Sequence, residues 1–278
     1  MRRWRPTAAA LLLGSLLSPL LAAAEPPLRL VTVPWREPEV LQKIYGPTLR
    51  LLERKLNRPV QLDIARDYND VHERLLNKAA DLGKFGAASY VEASARSPNL
   101  RYLVTAMTPD DHYFSIFFTR RERPYQQLKD LRGVSFGMTD KQSTSGYLIP
   151  RRMLSDAGIN PDSDLKAYLL KKHPKVVEAV LNGTLEAGAI DSSAWFEAQL
   201  RHPEQLREIT RSAALPRDPI AAAPHLDEAL ANRIQQILAA AANDPVFAQE
   251  SGEIKGYAIR SERFYDPIRA IWKAPAKQ

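Results

Sequence analysis

A run of hydroxyl side chains and a glycine, Ser-Thr-Ser-Gly at residues 143–146, lies within the stretch GMTDKQSTSGYLIPRRML at residues 137–154. The apolar residues before the run predict a β-strand, and the amphipathic pattern after it predicts a helix. The first N–H groups of a helix have no partner inside the helix and lie at the positive end of its dipole, so they attract anions. An anion site and an ordinary helix cap are both compatible with the run, because one hydroxyl is enough for a cap and this run has three. Pro150 removes a helical hydrogen bond just beyond the first turn, so we expect that turn to be irregular and rich in donors.

The residues that could indicate catalysis lack the spacing that catalysis needs. A catalytic serine would need a strained G-x-S-x-G turn, and neither Ser145 nor the pair Ser192 and Ser193 has those flanking glycines. The chain has no cysteine, and its histidines show neither H-x₃-H nor H-E-x-x-H spacing. The sequence therefore predicts a binding protein with no catalytic residue, no metal and no cofactor. The scattered histidines are His72, His112, His173, His202 and His225.

The N-terminal segment MRRWRPTAAALLLGSLLSPLLAAAEPP indicates export. Its arginines are followed by an apolar run and an A-x-A cleavage pattern, which together predict a signal peptide over residues 1–24. The run is short for a bilayer and is interrupted by glycine, serine and proline, which disfavours an uncleaved anchor. We therefore expect a periplasmic protein. The formal net charge of +7 is spread along the chain, which disfavours nucleic acid as a partner and suits an anionic small molecule.

Strand-like and helix-like segments alternate along the rest of the chain and predict an α/β fold with parallel sheets. Two such series are separated by a pair of strands near residues 100–120, so we expect two lobes joined by two hinge strands, with a ligand cleft between them. The chain is expected to cross between the lobes near residues 117–121 and to return near residues 212–222. The predicted limits are 25–118 for the first part of lobe 1, 119–216 for lobe 2, and 217–278 for the return to lobe 1 with its C-terminal helices.

Six stretches, in their order along the chain, resemble the periplasmic phosphonate-, phosphite- and phosphate-binding proteins of ABC importers. They are YGPTLRLLERKLNRPVQ, DLGKFGAASYVEA, LKDLRGVSFG, STSGYLIP, HPKVVEAVLNGTLEAGAIDSSAW and LPRDPI. The resemblance implies a type II periplasmic-binding fold whose lobes close by a hinge motion over a small phosphorus oxyanion. Phosphite, phosphate or an alkylphosphonate would then be delivered to an ABC permease in the inner membrane. The alternative is a sensory protein that presents the same anions to a membrane kinase or chemoreceptor, and a periplasmic enzyme is a more distant one. We expect a monomer, since nothing in the sequence indicates a dimer seam.

The resemblance also implies individual ligand contacts. The hydroxyls of the run match oxyanion-binding residues, two tyrosines match cleft aromatics, a histidine matches an oxyanion contact, and an aspartate follows a strand of lobe 2. These ligand-binding residues are Tyr68, Tyr113, Ser143, Thr144, Ser145, His173 and Asp191.

Four of these residues have structural alternatives. Tyr68 could anchor a helix start to the core, and Tyr113 could be a half-buried strand residue. His173 could be a cap or a surface residue, or it could donate one N–H to an anion, since neutral imidazole is favoured at the positive end of a helix dipole. Asp191 could cap a helix, or it could accept the hydrogen of a protonated oxyanion and so discriminate between ligands.

Three further residues qualify the expected ligand. Relatives that bind aminoalkyl phosphonates place an acidic residue close behind the position of Asp191, where this chain has the uncharged Ser193. We therefore expect a small ligand without an amino group. Lys84 could add positive charge to the cleft, but a surface position is the expectation. Asp218, in LPRDPI, matches a landmark at the return crossing and could be structural.

Overall fold

Two β-sheets connected by two crossings of the chain form the framework of the protein, as a computed structural model describes it for residues 25–109 and 112–274. The predicted signal peptide, residues 1–24, lies outside the described residues. The helices are α1 (Pro38–Leu56), α2 (Tyr68–Leu76), α3 (Ala87–Arg96), α4 (Ile149–Asp156), α5 (His173–Leu181), α6 (Ser192–Arg201), α7 (Glu228–Ala239), α8 (Pro245–Glu250) and α9 (Asp266–Lys273). Within residues 25–109 and 112–274, no helix has the length and apolar character needed to cross a membrane.

The first sheet has six strands in the order β11-β4-β10-β3-β1-β2. Strand β1 pairs in parallel with β2 and β3, whereas β10 is antiparallel to β3 and β4, and β11 is antiparallel to β4. The strands are β1 (Leu28–Thr32), β2 (Val60–Ile64), β3 (Leu82–Lys84), β4 (Arg101–Met107), β10 (Pro219–Ala222) and β11 (Gly256–Ala258).

The second sheet has five strands in the order β7-β6-β8-β5-β9. Here β6 pairs in parallel with β7 and β8, whereas β5 is antiparallel to β8 and β9. The strands are β5 (Ser115–Arg120), β6 (Ser135–Met138), β7 (Lys166–Leu169), β8 (Ala187–Asp191) and β9 (Leu206–Arg211). Both sheets are therefore mixed, whereas the alternation of strands and helices predicted parallel sheets. Both β5 and β10 begin directly after a crossing. Each therefore enters its sheet at the edge that faces the cleft, where the parallel strands end, and runs antiparallel to its neighbours.

The two crossings run side by side. The chain leaves the first sheet after Met107, joins the second at Ser115, and returns between Arg211 and Pro219. Tyr113 and Leu215 form an antiparallel bridge between the two crossings. The expected first crossing near residues 117–121 is too late in the chain, because residues 117–120 already pair within β5. The limits of the two lobes remain a prediction. The strand Ser115–Arg120 belongs to the second sheet, because it pairs with β8 and β9.

Apolar residues alternate along the strands and bury both faces of each sheet. In β1, Leu30 packs with Leu41 of α1 on one face, and Val31 packs with Val71 of α2 on the other. All four are fully buried. With both faces covered by helices, the carboxyl ends of the parallel strands are the places where polar side chains can meet between the sheets.

Candidate ligand-binding cleft

The hydroxyl run folds into an irregular turn, as predicted. Ser143 caps it by accepting a hydrogen bond from the Gly146 N–H at 3.1 Å, and residues Thr144–Leu148 form a π-helical turn before α4. The Gly146 carbonyl accepts the N–H of Thr139 at 3.0 Å. A Cβ atom at Gly146 would lie 1.9 Å from Oγ1 of Thr139, so only glycine fits at this position.

One cavity between the two sheets brings together all seven predicted ligand-binding residues. The residues follow the carboxyl ends of strands in both sheets: Tyr68 follows β2, the hydroxyl run follows β6, and Asp191 ends β8. The cavity volume is about 70 Å³, far below the ~300–1,000 Å³ of pockets for drug-sized ligands. The cavity therefore suits a ligand of few atoms. Its predicted lining residues are Tyr68, Tyr113, Ser143, Thr144, Ser145, His173 and Asp191.

The two predicted tyrosines connect the sheets through the hydroxyl run. The Tyr68 hydroxyl hydrogen-bonds with the side chain of Ser143, and the Tyr113 hydroxyl with that of Thr144. The Thr144 hydroxyl also accepts the Ala88 N–H, near the start of α3, at 2.8 Å. Burial raises the pKa of both tyrosines, so both keep the hydroxyl hydrogen that an anion could accept. Both tyrosines are buried, and Tyr68 also packs in the core at the start of α2, as its structural alternative proposed.

Ser145 is held through its backbone. Its carbonyl accepts a hydrogen bond from the hydroxyl of Ser115, the first residue of β5, at 2.6 Å. Ser145 is buried, with 3% of its surface exposed. The backbone contact orients the residue without using its hydroxyl hydrogen, which can be donated into the cavity.

His173 and Asp191 form a buried pair at the cavity. The Asp191 N–H donates to Nδ1 of His173 at 3.1 Å, so the ring hydrogen lies on Nε2. Burial lowers the pKa of His173, which keeps the imidazole neutral and leaves Nε2–H as a donor. His173 is the first residue of α5 and is 3% exposed, so the alternative of a surface residue is excluded.

The two carboxylate oxygens of Asp191 differ in their partners. Oδ1 accepts the Ala194 N–H at 2.9 Å and so caps α6, as the structural alternative proposed. Oδ2 is buried and lies 3.3 Å from Nδ1 of His173, but Nδ1 accepts the Asp191 N–H and has no hydrogen to donate, so Oδ2 has no hydrogen-bond partner among the described residues. Burial acts to raise the pKa of Asp191, but the adjacent His173 ring, the charge of Arg36 and two backbone N–H groups outweigh it and lower the pKa. The cavity therefore contains an ionised carboxylate oxygen that lacks a donor.

Lys84 is buried in the cavity wall, so the expected surface position is wrong. It is the last residue of β3, a strand in the middle of the first sheet, and its carboxyl end points to the cleft. Its Nζ donates to Oδ2 of Asp218 at 2.5 Å and lies 5.1 Å from the centre of the Trp35 ring. Burial acts to lower the pKa of Lys84, but the Asp218 carboxylate outweighs it and the pKa is raised. Asp218 thus has the structural role that the sequence left open.

Sequence reasoning missed four prominent residues of the cavity wall. Trp35 follows β1 and occupies the same edge of the sheet as the predicted residues, so its position could have been inferred. Arg217 lies beside Asp218 in LPRDPI, but the resemblance to the family matched only the aspartate. Tyr45 lies on the buried face of α1, and Glu253 lies in a bend before β11, where no motif marks it.

Two ion pairs, here called the latch pairs, connect the segment after β1 to the helices of the second sheet. Arg36 pairs with Glu197 of α6, and Glu37 accepts a hydrogen bond from Lys172 at 2.8 Å, directly before α5. Arg36 is buried, with 6% of its surface exposed. The latch pairs thus join the two sheets beside the cavity.

The side chains described here offer no metal site. No cluster of three or more histidine, aspartate or glutamate residues within 25–109 and 112–274 could hold a metal ion.

Comparisons with known proteins agree with this geometry. Residues 30–260 match the family described as "ABC transporter, phosphonate, periplasmic substrate-binding protein". The chain is 26% identical over 231 residues to the phosphonates-binding periplasmic protein of Escherichia coli, covering 80% of this chain and 68% of that one. It is also 26% identical over 208 residues to the tetrathionate sensor histidine kinase TtrS of Salmonella typhimurium, covering 66% of this chain and 35% of that one.

A solved structure with the same fold is PhnD1 of Prochlorococcus marinus in complex with methylphosphonate. Its TM-score is 0.78 at 21% identity, and the alignment covers 88% of this chain and 96% of that one. The two-lobed type II periplasmic-binding fold is thus confirmed. Because the family match spans most of the chain, this protein belongs to the periplasmic substrate-binding proteins of phosphonate ABC transporters.

Proposed function

We propose that this protein binds a small phosphorus oxyanion that retains at least one P–OH hydrogen, such as the monoanion of phosphite, phosphate or a simple alkylphosphonate. The observation that carries the proposal is Oδ2 of Asp191, a buried acceptor without a donor inside a cavity otherwise rich in donors. A buried carboxylate oxygen without a partner is costly, so its natural complement is a hydroxyl hydrogen on the ligand.

The seven residues divide into donors and one acceptor. One hydroxyl hydrogen from each of the pairs Tyr68–Ser143 and Tyr113–Thr144, the hydroxyl of Ser145 and Nε2–H of His173 donate to the unprotonated oxygens of the ligand. Asp191 accepts the P–OH hydrogen. A phosphate group bound through one oxygen keeps its last hydrogen as the pH rises up to its second pKa of about 6, whereas sulfate and tetrathionate are anions of strong acids and carry none. The arrangement therefore favours phosphorus over sulfur oxyanions.

The biological setting follows from the family. We propose that the protein acts in the periplasm, reached through the signal peptide over residues 1–24, as a monomer that delivers its ligand to an ABC permease without altering it. A second candidate is ligand sensing, which the similarity to a sensor histidine kinase favours. Incubation with methylphosphonate should leave its phosphorus NMR signal unchanged, since we propose that the protein is not an enzyme.

The test is thermal unfolding and calorimetric titration with phosphite, phosphate, methylphosphonate, sulfate and tetrathionate. A ligand at 100 times its dissociation constant stabilises the folded protein by about 2.7 kcal/mol, a readily measured shift. We expect at least one phosphorus anion to bind at least about 100-fold more tightly than either sulfur anion, since each lost charged hydrogen bond costs about 1.5–3 kcal/mol.

Three variants make this test specific. Ser145→Ala should weaken the binding of phosphorus anions. Asp191→Asn should reduce the preference for phosphorus anions over sulfate, because an amide N–H can donate to a ligand oxygen that carries no hydrogen. Ser94→Ala is the matched control, since its hydroxyl bonds the Val91 carbonyl within α3, outside the cavity. Equal binding of sulfur and phosphorus anions, or binding unaffected by Ser145→Ala, would contradict the proposal.

A further inference from the structure

We infer that Trp35 is a further ligand-binding residue, whose indole N–H donates a hydrogen bond from the first sheet to an oxygen of the bound anion. Trp35 follows β1, at the carboxyl end of a parallel strand, and its side chain lines the cavity. This inference rests on the proposed function and deepens it by adding a donor that the sequence did not predict.

The indole nitrogen of Trp35 is a buried donor without an acceptor. Its Nε1 atom is shielded from solvent and has no hydrogen-bond partner among the residues that the structure describes. The backbone of Trp35 is held separately, because its N–H donates to the Val33 carbonyl at 3.0 Å. A buried N–H that lacks an acceptor destabilises the folded protein, and an indole nitrogen can act only as a donor. Its complement is an acceptor atom, which the proposed oxyanion supplies.

Two cations beside the ring favour an acceptor that is negatively charged. Cζ of Arg36 lies 5.0 Å and Nζ of Lys84 lies 5.1 Å from the centre of the Trp35 ring. Burial lowers the pKa of His173, and both of these charges lower it further, which indicates that the ring lies near the histidine. Arginine and lysine are donors themselves, so neither can accept the indole hydrogen. The carboxylates that pair with these cations do not accept it either.

The ligand has the capacity to accept this additional hydrogen. The donors already proposed are one hydrogen from each tyrosine–hydroxyl pair, the hydroxyl of Ser145 and Nε2–H of His173. A phosphonate monoanion offers three oxygens, each with at least two lone pairs. The oxygen that gives its hydrogen to Asp191 can still accept one in return. The indole N–H therefore adds to the contacts of the ligand without displacing any of them.

The position of Trp35 also connects the ligand to the latch pairs. The two residues that follow Trp35 form these pairs, which reach α6 and the residue directly before α5. The N-terminal ends of α5 and α6 are the places where His173 and Asp191 lie. A ligand that contacts Trp35, His173 and Asp191 would therefore be held from both sheets, beside the ion pairs that join them.

The first experiment observes the indole N–H directly. NMR of the ¹⁵N-labelled protein shows one Nε1–H signal for each tryptophan, and residues 25–278 contain Trp35, Trp195 and Trp272. Single replacements by phenylalanine assign the three signals. Saturation with methylphosphonate should move the Trp35 signal downfield, as a hydrogen bond to an anion forms, and should leave the signal of the exposed Trp272 unchanged. A Trp35 signal that stays in place while methylphosphonate binds would overturn the inference.

The second experiment measures affinity by calorimetric titration with methylphosphonate. Trp35→Phe keeps an aromatic ring but removes the N–H, so we expect it to weaken binding about tenfold or more, as for the loss of a hydrogen bond to a charged group. Trp272→Phe is the matched control, because Trp272 lies on α9, outside the cavity. Equal affinity of the two variants would overturn the role of Trp35 and leave the oxyanion site intact. If no phosphorus anion binds the unmodified protein, the proposed function itself fails.

Discussion

The backbone N–H of Asp191 donates to Nδ1 of His173 at 3.1 Å, so that one residue of the pair fixes the tautomer of the other. A backbone donor cannot rotate away as a side chain can. His173 therefore presents Nε2–H to the cavity whether or not a ligand is present, and the carboxylate of Asp191 remains available for a separate task.

This arrangement predicts how stability depends on pH. Burial lowers the pKa of His173 in the folded protein, so below about pH 6.5 the unfolded chain takes up a proton that the folded protein does not. The contribution of His173 to stability is thus present above that pH and is lost as the pH falls. Between about pH 7.5 and pH 5.5, urea unfolding should show a larger loss of stability for the unmodified protein than for His173→Gln. Equal losses would mean that His173 is not held neutral.

Gly146→Ala should destabilise the protein by about 1–3 kcal/mol, because the new Cβ overlaps the side chain of Thr139. Thr139→Ala in the same chain should restore part of the loss, since it removes the closest atoms. Gly252→Ala serves as the control, because no atom lies within 4 Å of a Cβ built there. Chemical unfolding of the four proteins measures these differences. If Gly146→Ala unfolds like Gly252→Ala, the described turn is incorrect.

Lys84→Met should leave the Asp218 carboxylate without its partner. Removing one member of a buried ion pair costs about 3–5 kcal/mol, and we expect about 1–3 kcal/mol here because the Asp218 side chain is 30% exposed. Asp218→Asn combined with Lys84→Met should recover most of that stability. Denaturant unfolding of the two single variants and the double variant gives the coupling energy directly. Additive effects would show that the two residues act independently.

The latch pairs predict a salt-dependent contribution to ligand affinity. Glu37→Lys places like charges opposite each other at Lys172 and should weaken phosphonate binding about two- to fivefold, as expected for a partly exposed pair. The double variant Glu37→Lys with Lys172→Glu should restore the affinity. The effect should diminish as salt increases. Titration calorimetry at two ionic strengths measures it, and an unchanged affinity in Glu37→Lys would show that the pair does not favour the ligand-bound form.

The sequence predicted the residues that follow strands better than those that precede them. The hydroxyl run, His173 and Asp191 each lie at the carboxyl end of a parallel strand, where the α/β pattern and the family landmarks both place polar residues. The irregular turn was predictable because Pro150 cannot continue the hydrogen-bond pattern of an α-helix.

Other features depend on contacts that are distant in sequence. The burial of Lys84 requires Asp218, which lies 134 residues away and neutralises its charge. Glu253 reaches the cavity wall because β11 pairs with β4. Its position could not be predicted, since a three-residue strand leaves almost no periodic pattern in the sequence. The antiparallel direction of β5 and β10 was missed, because the alternation of strands and helices reports the type of each element but not its direction.

The place of β10 has a consequence for the order of folding. The second sheet is built from one continuous segment, Ser115–Arg211, whereas β10 inserts between β3 and β4 of the first sheet. In residues 25–109 alone, β3 and β4 therefore lack the strand that lies between them in the first sheet. In kinetic terms, the second sheet can form autonomously from local segments, while the gap between β3 and β4 in the first sheet is filled only after the chain has emerged beyond Ala222.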